Sequence, residues 1–316
     1  MILPVAFSVF FLGVALFVLV RGADLFVSAA KDIGTAAGMS KFSIGVFIIG
    51  FGTSIPELAS AVAAAFKGET AIVLANAVGS NITNILLIMG VLAAFGGKIM
   101  VKRDLIKAEL PVFFVSIAIF FVSIIDGYVD RLEAALLAGT FIVYLWYLFV
   151  EAPKEDSIAL MRKTKRTNAN FKHLVFAIVG IIGILFGAHY SVEMVIDIAE
   201  AFDAPIGLVS ITAIALSTSL PELFVSLQAI KNKEASIAIG NLFGSNVFNL
   251  LMVVGLSGLI APLIADETVM VVGIPFLLAS SAIIFVHGLA RQILRWEGMM
   301  MLLFYSIFLI KLYTLA

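Results

Sequence analysis

Ten runs of mostly apolar residues, each about long enough to cross a bilayer as a helix, constrain this chain more than any other feature. They lie at roughly 2–20, 42–66, 71–96, 108–125, 132–150, 173–190, 206–230, 235–262, 268–288 and 297–315. Lipid offers backbone N–H and C=O groups no partners, so such runs must bond internally as helices. Membrane-barrel strands would alternate polar and apolar over ~10 residues, and these runs do not. Of the 316 residues, 62% are hydrophobic and 13% charged, with a mean hydropathy of +1.15. No soluble core could hide so much apolar surface. The expected fold class is therefore an all-α polytopic membrane protein with ten transmembrane helices. The run Ile2–Val20 precedes the first basic residue, Arg21, so it reads as a first span rather than a secretory signal.

Charge placement predicts orientation. Ten spans put both termini on one side. Of the 20 basic residues, only Lys67, Arg131 and Lys311 fall on that side. The other 17 sit in the opposite loops, which the positive-inside rule places in the cytoplasm, with both termini extracytoplasmic. The outer loops carry Asp126, Asp130, Glu133, Glu193, Asp197, Glu200, Asp203, Asp266 and Glu267. Ordinary solvation explains these charges; the sharper reading is that they concentrate cations at an outer mouth. Net charge is -1 with no basic stripe, so no nucleic-acid partner is expected, and nothing calls for an obligate protein partner. With no cysteine, thiolate metal sites and disulfides are excluded.

The one long polar stretch, 151–172, reads as a cytoplasmic linker of mixed charge between two similar halves, 1–150 and 173–316. Shifting the chain by 165 residues aligns these halves without a gap. Thr53-Ser54-Ile55-Pro56-Glu57-Leu58 falls on Thr218-Ser219-Leu220-Pro221-Glu222-Leu223, and Gly79-Ser80-Asn81 falls on Gly244-Ser245-Asn246. Asn76 meets Asn241, Asn84 meets Asn249, and Gly22-Ala23 meets Gly187-Ala188. Five spans per half is an odd number, so the second half would enter the membrane upside down. Inverted repeats of this kind belong to secondary transporters, which bind substrate near the midplane on broken helices. The repeated blocks span about 43–96 and 208–261.

Glu57 and Glu222 are the only acidic residues deep inside apolar runs, and intramembrane ionisable groups are functional by default. Pro56 and Pro221 precede them. Each proline removes a backbone donor and disturbs the carbonyl four residues earlier. Either this is a mere kink, or carbonyls near Gly50–Thr53 and Ala215–Thr218 are freed to accept a ligand. Thr53 and Glu57 share a helix face at i, i+4, as do Thr218 and Glu222; Ser80 with Asn84 and Ser245 with Asn249 repeat the spacing. The serines and asparagines can glue helices together or join the carboxylates as ligands. All are hard oxygen donors, which suits calcium, magnesium or sodium rather than zinc or copper. Gly79, Gly90, Gly244 and Gly255 read as close-packing positions. His173, His189 and His287 form no cluster, and Asp24 is expected to pair locally with Arg21 or Lys31. An enzyme is not expected. There is no His-Glu-x-x-His, no pair of intramembrane aspartates and no serine with a histidine at membrane depth. Channels usually build pores by subunit symmetry, which fits an internal twofold less well.

The blocks Gly50–Glu57 and Ala215–Glu222, each followed by Asn-x-x-Gly-Ser-Asn, resemble the α-repeats of the cation/calcium antiporter superfamily, above all its prokaryotic sodium/calcium exchangers. The resemblance covers nearly the whole chain. It implies two inverted five-helix halves with ions bound between spans 2, 3, 7 and 8. It implies a sodium/calcium antiporter of the cell membrane, needing no cofactor beyond the calcium and sodium it carries. Glu57, Glu222 and the backbone around Thr53 and Thr218 would hold calcium. Flanking sodium sites would use Thr53, Ser54, Ser80, Asn84, Thr218, Ser219, Ser245, Glu57 and Glu222, with carbonyls of Gly50 and Ala215. Two departures stand out. Ser217 replaces a glycine usual before Thr-Ser. Position 249 is Asn, where many prokaryotic members and the potassium-dependent branch carry Asp. Asn249 is therefore a neutral member of the site, and potassium-independent transport is expected. The alternative on the same fold is a proton/calcium exchanger, with protons on Glu57 and Glu222 replacing sodium.

Overall fold

A computed structural model of the chain describes residues 2–96, 99–100, 103–150, 171–201 and 206–315, with side chains throughout except at 2–5, 99–100, 103–109, 149–150, 195, 199–201, 206–218 and 315. The linker expected at 151–172 lies outside the described residues, apart from the Phe171 and Lys172 that open a helix. The helices are α1 (Ile2–Ala36), α2 (Lys41–Thr53), α3 (Ile55–Lys67), α4 (Thr70–Gly96), α5 (Arg103–Ile124) and α6 (Arg131–Val150). They continue with α7 (Phe171–Ala201), α8 (Ile206–Lys231), α9 (Ala235–Ile260), α10 (Val269–Ala290) and α11 (Arg295–Leu315). Among the described residues, 7 helices are long and apolar enough to cross a membrane, or 8 when α2 and α3, bent by 44° at their junction, count as one span. The expected runs at 108–125 and 206–230 fall on α5 and α8. The chain is a multi-pass helical membrane protein.

Two helices outrun their apolar stretches. The first run ends at Val20, yet α1 continues to Ala36. It does so because Ala23, Phe26, Val27 and Ala30 keep a buried stripe at helical spacing. α7 likewise continues past residue 190 to Ala201. The two helices pack against each other along small residues. A Cβ on Gly22 would lie 2.8 Å from the Gly180 carbonyl, and one on Gly187 would lie 2.8 Å from that of Ala15. Each of these contacts is the other's image under the 165-residue shift.

Among the candidate spans of the described residues α9 and α4 are the most buried, while α1, α7 and α11 present apolar side chains outward, as lipid requires. α2 lies on α9 at glycine distance. A Cβ on Gly45 would overlap the Ile237 carbonyl, and one on Gly244 would sit 2.8 Å from the Val46 backbone. Small residues permit such an approach, and close packing holds membrane helices together where no hydrophobic drive acts between them. Gly90 and Gly255 are also close-packed, against α11 and α6, as expected. Gly79 is not: nothing lies within 4 Å of where its Cβ would be. Its repeat mate Gly244 is wedged on α2, so the two halves are not packed alike.

Two short antiparallel ribbons tie the halves together. β1 (Ile99–Met100) pairs with β4 (Gln292–Ile293), and β2 (Tyr128–Val129) pairs with β3 (Leu263–Ile264). Ile99 stands opposite Ile293. Shifting each by the repeat offset gives Ile264 opposite Tyr128, which is the pairing of the second ribbon. Near the first ribbon's end of the molecule, Glu234 at the N-terminus of α9 binds Lys31 of α1 at 2.6 Å and Lys41 of α2 at 2.5 Å. Burial pushes the Glu234 carboxyl up, but hydrogen bonds and charge from both lysines outweigh it and hold it below the ordinary value. A carboxyl lowered on folding stabilises the protein above its unfolded pKa and loses that contribution as pH falls through the lowered value. Asp24 does not make the expected local ion pair among the described contacts. Its Oδ1 accepts from Gln228 Nε2 at 2.7 Å and from Asn232 Nδ2 at 3.5 Å, because α1 runs on beside α8. His173, His189 and His287 stay apart, each beside its own carboxylate.

Gly45→Val should cost about 1–3 kcal/mol, because the added atoms meet backbone rather than a side chain that can swing away. Thermal unfolding in detergent checks this. A melting temperature equal to the parent's would contradict the α2–α9 contact.

Candidate cation site

The site begins where α2 ends. Proline at 56 cannot donate a backbone bond, and its ring crowds the carbonyl four residues back. The chain breaks at Ser54, with φ -91° and ψ 9°, and α3 restarts with Glu57 in its first turn. In the second half Pro221 sits within α8, which continues through it, and Glu222 follows. Both carboxylates are buried, each 1% exposed, and Glu57 lies within electrostatic reach of Glu222. α3 packs on the turn 248–253 of α9, and α8 packs on the turn 83–88 of α4. Each glutamate-bearing helix thus rests on the asparagine-bearing turn of the other half.

Those turns are widened. Thr83–Ile88 and Phe248–Val253 are π-helical, and they are repeat mates; a third π turn, Gly45–Gly50, leads into the break. π turns insert an extra residue and gather at functional sites. Asn84 and Asn249 are each the second residue of their turn. Sequence reasoning finds the two asparagines but not the widened turns, for which residue spacing has no signal.

Most predicted residues converge. Ser54 Oγ donates to Glu222 Oε1 at 3.1 Å, and Ser245 Oγ reaches the same oxygen at 3.5 Å. Thr53 Oγ1 donates at 3.2 Å to both the Gly50 carbonyl and Asn241 Oδ1, and it lies 3.5 Å from Ser245 Oγ. Asn84 Nδ2 donates to Asn246 Oδ1 at 3.1 Å. Ser80 is buried and donates to Asn76 Oδ1 at 3.5 Å. Ser219 and Asn249 are buried beside them. The side chains of Ala215 and Thr218 lie outside those described, although both positions are on α8. The Gly50 carbonyl departs from expectation. It is not left open but accepts from Thr53 Oγ1, Ser245 Oγ and the Ser54 N–H, since Pro56 removes the donor to Gly52 and leaves the helical bond to Gly50 in place.

Three motif residues given no site role turn out to be structural neighbours of the site. Asn81, Asn241 and Asn246 are all buried. The signal was present, because each belongs to the repeated Asn-x-x-Gly-Ser-Asn block.

What the site offers is oxygen. Glu57 Oε2, Glu222 Oε2, Asn81 Oδ1, Asn84 Oδ1, Asn249 Oδ1 and Ser219 Oγ are buried without a hydrogen-bond partner among the described residues. Buried polar atoms are nearly always paired, so a cluster of bare oxygens needs a counterpart. Two like charges away from water need a compensating cation or proton. Among the described residues no three His, Cys, Asp or Glu side chains converge, so the set is two carboxylates filled out by neutral oxygens. That donor set fits hard cations.

Comparison with known proteins points the same way. The family model described as sodium/calcium exchanger protein matches residues 7–150 and 172–314. The chain belongs to the sodium/calcium exchanger family. It is 34% identical to the sodium/calcium exchanger MaX1 of Methanosarcina acetivorans, over 98% of this chain and 99% of that protein. It is 32% identical to the putative antiporter CaxA of Alkalimonas amylolytica, over 93% and 94% of the two chains. Its structure resembles that of the sodium-calcium exchanger NCX_Mj soaked with sodium and strontium, with a TM-score of 0.81 and 29% identity over 96% of this chain and 98% of that one. Family membership agrees with the all-α membrane architecture and with a transporter rather than an enzyme.

Glu57→Gln and Glu222→Gln should each remove calcium-dependent thermal protection while leaving a folded, monodisperse protein. A ligand at a hundredfold its Kd stabilises by about 2.7 kcal/mol, so the shift is readily read. Protection retained in either variant would sink the assignment of that glutamate.

Proposed function

We propose that this family member is a sodium/calcium antiporter of the cell membrane that works by alternating access. The observation that carries the reading is the meeting of Glu57 and Glu222, from opposite halves, in a buried cluster of unpartnered oxygens. On this reading the calcium ligands are Glu57 and Glu222 with backbone near Thr53 and Thr218. Sodium draws on the same carboxylates together with Thr53, Ser54, Ser80, Asn84, Thr218, Ser219, Ser245 and Asn249, and on carbonyls of Gly50 and Ala215. The exchanger names of MaX1 and NCX_Mj support sodium and calcium as the cargo.

In the proposed topology ten crossings form two inverted five-helix halves, with both termini extracytoplasmic. The matched register of the two ribbons and the mirrored α1–α7 contacts support an internal twofold. The unequal packing supports a two-state machine. On the proposed cytoplasmic side α2 and α9 close at glycine distance, and Glu234 holds Lys31 and Lys41. The repeat mate of Glu234 is Glu69, but Ile196 and Ile206 stand where the two lysines would be. That side is latched by charge, and the opposite side has no such pair to form.

Charge counting gives the mechanism its electrical signature. One calcium neutralises two ionised glutamates. Three sodium ions, the number the family resemblance implies, leave one net positive charge, worth about 2.3 kcal/mol per 100 mV. Protons on the same glutamates would move calcium silently. Potassium beside calcium would need a further carboxylate to offset burying its charge, and Asn249, whose amide has no partner among the described residues, supplies none.

The test is sodium-driven calcium uptake into proteoliposomes with the potential clamped and potassium replaced by choline. Flux should change with imposed potential and should persist without potassium. Flux indifferent to potential but driven by a proton gradient would favour proton/calcium exchange. A several-fold loss on removing potassium would mean that another acidic group reaches the site.

A further inference from the structure

Asn241 stands at the crossing of three helices and is fully buried, at 0% exposure. It projects from α9, one turn before Ser245. Its Nδ2 donates to the Glu222 backbone carbonyl at 3.3 Å and to Ser226 Oγ at 2.9 Å on α8. Its Oδ1 accepts from Thr53 Oγ1 at 3.2 Å at the end of α2. One amide therefore joins the Thr53 block of the first half to the Glu222 block of the second.

The polarity of this chain of bonds is fixed by chemistry. A backbone carbonyl can only accept, so the amide end facing Glu222 O must be the NH2 group. The opposite orientation would set two acceptors against each other. The end facing Thr53 is then the amide oxygen, which also only accepts. A threonine hydroxyl has one proton and two lone pairs. The Thr53 proton is thus drawn to protein acceptors, Asn241 Oδ1 or the Gly50 carbonyl, and the lone pairs remain for the site. A hydroxyl held this way is an acceptor toward anything bound there, which is what a cation requires. A proton turned inward would repel it.

We propose that Asn241 is a positioning residue for cation selectivity: with the Gly50 carbonyl it holds the Thr53 proton away from the site, so that Thr53 meets sodium as an oxygen ligand, and it anchors the Glu222 turn against the broken helix. The proposal rests on the exchange reading above and deepens it. Among the described contacts its repeat mate is placed differently. Asn76 is only half-buried and accepts from its own neighbour Ser80, and Ala61 stands where the second half has Ser226. Among the described side chains the amide clamp is therefore on the Thr53 side of the site. Sodium should feel the loss more than calcium, since the calcium ligands proposed here are carboxylates and backbone rather than the Thr53 hydroxyl.

The test is a double-mutant cycle in proteoliposomes, reading the sodium and the calcium concentrations that give half-maximal exchange. Asn241→Leu should raise the sodium value several-fold with a much smaller change in the calcium value, and Thr53→Val should do likewise. The double variant should be no worse than the more affected single variant, because both remove one interaction. Asn241→Asp provides a check that does not depend on the leucine variant folding. With its proton toward the Glu222 carbonyl it keeps an oxygen to accept from Thr53, so its sodium value should stay near that of the parent. Equal shifts for sodium and calcium, multiplying effects in the double variant, or an aspartate variant impaired like the leucine one would each overturn the proposal. Parent protein without sodium-driven calcium flux would instead overturn the exchange reading on which it rests.

Discussion

Two carboxylates buried together in the interior of a membrane protein are the constraint on which the rest of this structure depends. Each charge costs several kcal/mol to bring out of water, and each makes the other costlier. The fold gathers whatever can offset that cost. Hydroxyls of Ser54 and Ser245 point at one oxygen of Glu222. Helix breaks and π turns bring asparagines and carbonyls to the same place. Oxygens still remain bare on both glutamates. Protein donors alone leave the site short of positive charge, and a site in that condition is one that cations can enter and leave.

The internal repeat explains how such a site can be built and opened. The two halves contribute matched parts, and each glutamate helix rests on the other half's widened turn. A twofold made from non-identical sequences need not be occupied symmetrically. Here Gly244 is packed while Gly79 is open, Asn241 is clamped while Asn76 is half-buried, and among the described residues Glu234 finds lysines where its repeat mate Glu69 does not. On the alternating-access reading proposed above, these differences would distinguish two states, since exchanging the roles of the halves would exchange which side is closed.

Much of this was legible in the residues. Apolar run length gives the helices, because lipid leaves a backbone no other choice. Glu57, Glu222 and the prolines before them stand out because acidic residues and helix breakers inside apolar runs are costly. What was not legible depends on packing. The continuation of α1 from Arg21 to Ala36 follows from a buried stripe opposite partners distant in sequence. π turns are set by insertion and close approach rather than composition. The clamp by Asn241 spans 188 residues to Thr53, and the engagement of the Gly50 carbonyl by Ser245 spans 195. Two-residue ribbons are too short for any periodicity to announce.

The central claim is that sodium and calcium compete for one shared set of oxygens around Glu57 and Glu222. Equilibrium binding of radioactive calcium to the purified chain tests it directly, with sodium added against choline at constant ionic strength. The account predicts calcium bound at a single competable site and displaced completely by sodium, along a curve steeper than one-for-one competition. Calcium that stays bound at saturating sodium would contradict it, as would displacement no steeper than that of a single ion.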